Sequence, residues 1–164
     1  MKWGSNYANG REAKALRNGK NEAAVQGPGL YRLNTGSCNG CDVELAVTAV
    51  IPRFDVKQCG CTYCHDPKEA GILLVSGPLT VKMREQVLRL YREIPAPKVV
   101  VALGVCPISG GVFRDSYAFE NPLDAYLPVD VNVPGCPPRP QAMLEGIGQA
   151  VKIWRGRSAG DGEK

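Results

Sequence analysis

The stretch Ala70-Gly71-Ile72-Leu73-Leu74-Val75-Ser76, followed by Gly77-Pro78, decides the fold of this chain. A short continuous apolar run that ends at Gly-Pro is typical of a strand covered on both faces. Residues 98–104, Lys-Val-Val-Val-Ala-Leu-Gly, form a second run of this kind, and residues 129–133 predict a short third strand. The sequence therefore predicts a sheet whose central strands are buried.

Helical patterns alternate with these strands. Residues 31–35 predict a first strand, and residues 42–51 predict a helix with Asp42 as its N-cap. Two further helices are predicted: an amphipathic one over residues 81–94 and a final one over residues 138–154. Strands that alternate with helices predict right-handed βαβ units and a parallel sheet. The predicted fold class is α/β, a flavodoxin-like doubly wound, mostly parallel sheet with helices on both faces.

The 164 residues divide into three parts by composition. Residues 1–29 are polar and rich in glycine, and predict an arm with at most one short helix near 11–17. Residues 30–154 predict the α/β domain, and residues 155–164 predict a flexible tail. A domain of this size buries enough surface to be stable without disulfides.

Composition narrows the function classes. The net charge of +4 is not concentrated in one block, which argues against nucleic acid as a partner. No apolar run reaches the length of a membrane span, and residues 1–6 lack the apolar core of a signal peptide. We therefore expect a cytosolic chain. Seven cysteines in such a chain indicate metal binding or redox chemistry rather than disulfides.

Four cysteines follow the ends of predicted strands. Cys38 and Cys41 lie in Ser-Cys-Asn-Gly-Cys-Asp, Cys106 in Gly-Val-Cys-Pro, and Cys136 in Pro-Gly-Cys-Pro-Pro. Open α/β folds place their ligands at the carboxyl edge of the sheet, so we expect all four thiols there. One close pair and two distant single cysteines suit an iron–sulfur cluster. Structural zinc, which usually takes two close pairs, and unliganded core cysteines remain alternatives.

The motifs around these cysteines resemble a known family. Residues 35–44 (Thr-Gly-Ser-Cys-Asn-Gly-Cys-Asp-Val-Glu), 72–80, 104–107 and 133–140 are similar to the small subunit of energy-converting, membrane-bound [NiFe] hydrogenases. That subunit is homologous to the cluster-bearing subunit of respiratory complex I beside the quinone site, the NADH:ubiquinone oxidoreductase 20 kDa subunit. The resemblance covers about residues 31–154. Two residues separate Cys38 from Cys41, as in the hydrogenase branch, whereas the complex I subunit typically has adjacent cysteines.

The resemblance implies a non-catalytic electron-relay subunit of an oxidoreductase. Cys38, Cys41, Cys106 and Cys136 would ligate one proximal [4Fe-4S] cluster. The implied partners are a hydrogenase-like large subunit that carries the active site, a ferredoxin-type cluster subunit and, indirectly, the subunits of a membrane arm. The chain would sit peripherally on the cytoplasmic side of the membrane. The alternatives are the equivalent subunit of a complex I-like quinone or polysulfide reductase, and a stand-alone metal-binding electron carrier.

A second group of potential ligands lies outside this pattern. It consists of Cys59, Cys61, Cys64 and His65 in Cys-Gly-Cys-Thr-Tyr-Cys-His. These side chains could hold zinc or a second cluster, or they could be free or partner-facing thiols. Residues 61–65 also match the C-x-x-C-H pattern of haem attachment.

Glu44 is the remaining candidate. It follows Cys41 by three residues, where the related complex I subunits also carry a glutamate. It is either an acid at a subunit interface that assists proton movement or tunes the cluster, or a first-turn carboxylate favoured by the helix dipole.

Overall fold

The computed structural model describes residues 27–120 and 122–160. The strands are β1 (Gly29–Asn34), β2 (Thr62–Tyr63), β3 (Ala70–Ser76), β4 (Val99–Leu103) and β5 (Val131–Val133). The helices are α1 (Gly40–Val50), α2 (Arg84–Glu93), α3 (Val105–Ser109) and α4 (Pro140–Gly160). The strands form one sheet in the order β2-β1-β3-β4-β5, and every neighbouring pair is parallel.

The two central strands are buried along their whole length. Every residue of β3 and of β4 is buried, and the register pairs Ile72 with Val99 and Ser76 with Leu103. Full burial explains why both strands are continuous apolar runs, since side chains on each face must pack against a covering layer. The prediction of buried central strands is confirmed.

Helices cover both faces of the sheet. On one face, Leu45 of α1 and Met143 and Ile147 of α4 pack with alternate residues of the central strands. On the other face, Val87 of α2 and Leu123 pack with the remaining strand residues. The strand order 2-1-3-4-5 is that of the flavodoxin-like doubly wound fold. The predicted fold class is therefore confirmed.

Two elements at the borders of the sheet were not predicted. Strand β2 contains only Thr62 and Tyr63 and forms the edge of the sheet beside β1. A strand of two residues has no room for a periodic pattern, so the sequence carries no signal for it. Cys106, beyond the carboxyl end of β4, lies in the short helix α3 rather than in a loop.

The prediction that Asp42 is the N-cap of α1 is wrong. The helix begins at Gly40, and its N-cap is Asn39, whose φ of 68° is left-handed. Asp42 is a buried residue of the first turn, and its carboxylate accepts hydrogen bonds from Ser76 and Asn34. These partners come from neighbouring strands, which local capping patterns do not reveal.

Helix α4 ends at Gly160 rather than at Trp154. Its last turns are attached to the sheet because Arg157 forms an ion pair with Asp130 and donates a hydrogen bond to the carbonyl of Lys98 at 2.6 Å. Residues 1–26, with the short helix predicted near 11–17, and residues 161–164 lie outside the described residues. The division into an arm, a domain and a tail stays a prediction.

Candidate metal centre

The four motif cysteines come from three separate segments at the carboxyl edge of the sheet. Cys38 lies in the loop that joins β1 to α1, and Cys41 lies in the first turn of α1. Cys106 lies in α3, which follows Gly104 at the end of β4. Cys136 lies in the loop between β5 and α4. The parallel sheet thus brings together thiols that are nearly 100 residues apart in sequence.

All four cysteines line one cavity of about 140 Å³. The other lining residues are mainly small: Ser37, Gly40, Gly77, Gly135 and Pro137. Cys41 is buried and Cys106 is half-buried, whereas Cys38 and Cys136 are exposed. The cavity therefore has a closed end at Cys41 and an open side at Cys38 and Cys136.

Two backbone hydrogen bonds join the segments that carry Cys106 and Cys136. The Gly104 N–H donates to the carbonyl of Val133 at 2.8 Å, and the Val105 N–H donates to the carbonyl of Gly135 at 2.9 Å. Gly104 has a φ of 87°, and a Cβ on it would lie 2.7 Å from the Sγ of Cys41. Glycine is therefore needed here both for the left-handed backbone and for the space beside the sulfur.

Burial and neighbouring thiols raise the pKa of two of the four cavity cysteines, Cys41 and Cys106. Burial raises the pKa of Cys41 to about 11, with further contributions from Cys106, Cys38, Asp42 and Cys136. Burial also raises the pKa of Cys106, and Cys136 and Cys38 add to it. Negative charge on one sulfur thus disfavours negative charge on the next. A cationic metal group removes that penalty, because thiolates bind metals with release of their protons. The donor set fits such a group.

The four cysteines line a cavity and do not form a site for a single metal ion. Across residues 27–120 and 122–160, no three side chains of Cys, His, Asp or Glu are grouped closely enough to hold a single metal ion. A cube of four irons and four sulfides has one thiolate on each iron, so its ligands stand further apart than those of one zinc ion. The cavity between the four cysteines suits this wider arrangement.

The structure does not bring Cys59, Cys61, Cys64 and His65 together. Cys59 and Cys61 pack with the core on the α4 face of the sheet, whereas Cys64 packs with the core on the opposite face. Cys61 is fully buried, with its Sγ 3.3 Å from the carbonyl oxygen of Val56, and His65 is exposed. The second site for zinc or a cluster, which the sequence left open as one alternative, is not assembled in this structure, and these thiols pack as parts of the core.

Glu44 lies on α1, one turn from Cys41, and is half-buried. Its neighbour Val43 is 64% exposed, and Val50 at the end of the same helix is 77% exposed. The outer side of α1 thus carries exposed apolar side chains at both of its ends. The role of Glu44 as an interface acid stays a prediction.

Sequence reasoning missed the polar contacts behind the cavity. Asn34, Ser37, Asp42 and Ser76 form one hydrogen-bonded network beside Cys38 and Cys41. The only signal in the sequence is the position of Asp42 directly after Cys41, and taken alone that position favours a helix cap.

Comparison with known proteins identifies the family. The model of the family described as NADH ubiquinone oxidoreductase, 20 Kd subunit, matches residues 38–150, which include all four cysteines of the cavity. This match spans more than half of the chain.

Relatives come from several types of oxidoreductase complex. The probable membrane-bound hydrogenase subunit mbhJ of Pyrococcus furiosus is 46% identical over 125 residues, which cover 76% of this chain and 74% of the relative. An NADH-quinone oxidoreductase subunit of Heliobacterium modesticaldum is 41% identical over 125 residues, which cover 75% of this chain and 70% of the relative.

A solved structure shows the same fold. A chain of the membrane-bound sulfane sulfur reductase, an archaeal respiratory membrane complex, matches with a TM-score of 0.67 and 32% identity, covering 80% of this chain and 73% of that chain. The hydrogenase and sulfane sulfur reductase relatives are named as parts of membrane-bound complexes. No helix in the described part of the present chain is long and apolar enough to cross a bilayer. The sequence match, the sheet and the relatives agree, and the chain belongs to the NADH ubiquinone oxidoreductase 20 kDa subunit family.

Proposed function

We propose that this chain is an electron-transfer subunit that carries one [4Fe-4S] cluster and passes electrons to the active site of a partner large subunit in a membrane-associated [NiFe]-hydrogenase-like complex. Cys38, Cys41, Cys106 and Cys136 are the proposed ligands. The observation that carries the proposal is the convergence of these four thiols, from three segments, on one cavity. When bound, such a cluster supplies a one-electron relay.

The residues around the cavity have distinct roles in this proposal. Cys41, at the closed end, fixes the depth of the bound group, and Gly104 leaves the space that its sulfur needs. Cys38 and Cys136 hold the group on the exposed side of the cavity. No residue of this chain is assigned as a nucleophile, acid or base, because the chemistry of the complex belongs to the large subunit.

The proposed large subunit covers the open side of the cavity. Large apolar side chains are exposed in the segments that follow two of the proposed ligands: Val43 follows Cys41 in α1, and Val112 and Tyr117 follow Cys106 and α3. Exposed apolar side chains beside a functional cavity favour a protein partner over open solvent. The further proposed partners are a ferredoxin-type cluster subunit and, indirectly, a membrane arm. The subunit is then peripheral, on the cytoplasmic side.

A second candidate is the equivalent subunit of a complex I-like quinone or polysulfide reductase. The observation that favours it is the match to a chain of a sulfane sulfur reductase complex. The two candidates share the cluster and differ only in the active site of the large subunit. The identity of 46% to a probable membrane-bound hydrogenase subunit is the reason that the hydrogenase-like complex comes first.

Anaerobic reconstitution with iron and sulfide tests the cluster. The expected result is about four irons and four sulfides per chain, with an EPR signal that appears on reduction. One zinc per chain without iron would contradict the proposal. About eight irons per chain would contradict the single cluster and return Cys59, Cys61 and Cys64 to the ligand set.

Affinity purification of the tagged chain from its native membranes tests the partners. Co-purification of a large subunit that contains nickel, with hydrogen-dependent electron transfer, supports the hydrogenase-like complex. A nickel-free large subunit that reduces a quinone or polysulfide supports the second candidate. Elution of the chain alone would indicate a stand-alone electron carrier and contradict both.

A further inference from the structure

Asp42 connects three elements behind the cavity. Its Oδ1 accepts a hydrogen bond from the Ser76 hydroxyl at 2.9 Å, at the end of β3. Its Oδ2 accepts from the Asn34 amide at 2.6 Å, at the end of β1, and from the Ser37 hydroxyl at 3.3 Å. Because Asp42 directly follows Cys41, these bonds fix the turn of α1 that carries the deepest thiol of the cavity.

The same network holds the loop that carries Cys38. The Asn34 Oδ1 accepts hydrogen bonds from the backbone N–H groups of Gly36 at 2.9 Å and Ser37 at 2.8 Å. The Ser37 hydroxyl oxygen accepts from the Asn39 N–H at 2.9 Å. The backbone on each side of Cys38 is thus bound to side chains that themselves contact Asp42. Asn34 and Ser37 each contact both Asp42 and the backbone beside Cys38, so the position of Cys38 depends on the Asp42 carboxylate.

The carboxylate is also a charge placed beside the cavity. The Asp42 side chain is 8% exposed, and its single ion pair among the described residues is with Arg32, whose Nε lies 3.3 Å from Oδ1 and whose side chain is 47% exposed. Charges buried in protein interact more strongly than those in water. The negative charge of Asp42 is therefore buried beside the residue that carries the deepest thiol, whereas the positive charge of Arg32 is more exposed to solvent.

We propose that Asp42 is a positioning residue that holds both ligand segments in one arrangement, and that its fixed negative charge lowers the reduction potential of the bound cluster. This inference rests on the proposed function, because it takes Cys38 and Cys41 as ligands. Net charge and hydrogen bonding around a cluster are the protein's means of setting its potential, and residues that orient ligands control how firmly the group is held.

The experiment measures the midpoint potential by EPR-monitored redox titration, and the rate of iron loss to a chelator, in the reconstituted full chain. Asp42→Asn keeps the shape of the side chain and removes its charge. We expect a more positive potential and iron loss that is about 10-fold faster or more. Arg32→Gln leaves the carboxylate and its other hydrogen bonds in place, and we expect a more negative potential. A merely structural role of Asp42 would not make the midpoint potential shift in opposite directions in Asp42→Asn and Arg32→Gln.

Asp66→Asn is the matched control. Asp66 is an exposed carboxylate that accepts a hydrogen bond from the Lys68 N–H at 2.9 Å, away from the cavity, so its removal changes net charge by the same amount. We expect wild-type potential and iron retention in this variant.

The outcomes separate this inference from the function on which it rests. Absence of iron in the wild-type chain overturns the proposed function, and the role of Asp42 with it. A wild-type cluster together with unchanged potential and retention in Asp42→Asn overturns the role of Asp42 alone. If Asp42→Asn does not take up iron, Arg32→Gln decides the charge effect: a negative shift supports it, and an unchanged potential overturns it.

Discussion

The backbone N–H of Val105 donates a hydrogen bond to the carbonyl oxygen of Gly135 at 2.9 Å. This bond joins the segment of Cys106 to the segment of Cys136 just beyond the last paired residues of β4 and β5, Leu103 and Val133. The sheet ladder is thus continued into the cavity wall. Main-chain hydrogen bonds therefore hold the segments of Cys106 and Cys136 together, whether or not a group is bound between them.

Gly104→Ala should disturb the closed end of the cavity. The new Cβ would lie 2.7 Å from the Cys41 sulfur, at a backbone φ of 87°. We expect the metal-free chain to lose about 1–3 kcal/mol of unfolding free energy and the reconstituted chain to retain much less iron. The measurements are urea denaturation and iron analysis.

Gly156→Ala is the matched control for that substitution. Gly156 lies in α4, and a Cβ there would meet no heavy atom within 4 Å. We expect this variant to bind iron normally and to gain up to about 1 kcal/mol, because alanine is favoured over glycine inside helices. Equal iron content in both alanine variants would contradict the need for space beside Cys41.

Cys106→Ser should abolish electron transfer and leave the sheet folded. Cys106 lines the cavity but is only half-buried and is not part of either buried core cluster. Circular dichroism checks that the sheet remains folded. EPR after reconstitution checks for loss of the cluster signal on which electron transfer depends.

Cys59→Ser serves as the comparison for Cys106→Ser. The Cys59 sulfur lies outside the cavity and 3.7 Å from the carbonyl of Leu144, an acceptor that a serine hydroxyl also satisfies. We expect wild-type EPR intensity in this variant. Wild-type turnover in Cys106→Ser would remove Cys106 from the proposed ligand set.

Burial of Cys61 should make the metal-free protein sensitive to alkali. Burial, with smaller contributions from Cys59 and Asp55, raises the pKa of Cys61 from its ordinary value of 9.0 to about 12. At pH values between 9 and 12 the unfolded chain has lost a proton that the folded chain retains. The free energy of unfolding therefore falls as pH rises through this range, and this thiol does not affect it below pH 9.

The test is urea denaturation of the reduced, metal-free chain at several pH values. Cys61→Ala should be less stable than wild type near neutral pH, because it leaves a small cavity, but its stability should fall less steeply above about pH 9. Some dependence should remain in the variant, since burial also raises the pKa of Tyr63 to about 12. Identical slopes for the two proteins would show that the Cys61 thiol does not remain protonated in the folded state.

Arg157→Ala should loosen the end of α4. The guanidinium pairs with the mostly buried carboxylate of Asp130 and donates to the carbonyl of Lys98. Since Arg157 is itself 45% exposed, we expect a loss of about 1 kcal/mol and a fall of about 2–4 °C in the thermal midpoint. Lys152→Ala, an exposed residue of the same helix, should leave the midpoint within about 1 °C.

The central sheet was predictable because its signal is local. The run from Ile72 to Val75 needs burial on both faces wherever it is placed, and the glycine and proline residues that follow each strand mark where the chain turns. The convergence of the cysteines followed from the same signal. Once the strands are parallel, their carboxyl ends share one edge, and the residues after them must lie there.

The features that were not predicted depend on contacts between distant segments. The buried role of Asp42 requires Ser76, which is 34 residues away, and the separation of Cys61 from Cys64 requires knowing that the intervening residues form the edge of the sheet. A cluster of cysteines in sequence resembles a metal site, but the two faces of a strand point in opposite directions. Here that alternation divides the thiols between the two layers of the core.

The order in which the four cavity cysteines leave the ribosome has a consequence for biogenesis. A nascent chain that has not yet reached residue 136 offers at most three of these thiols. Strand β5 must then pair with β4 before the fourth thiol, that of Cys136, reaches the carboxyl edge of the sheet. Binding of the proposed cluster by all four thiols therefore requires the completed tertiary structure. A subunit truncated before residue 136 would therefore offer the proposed cluster an incomplete set of ligands.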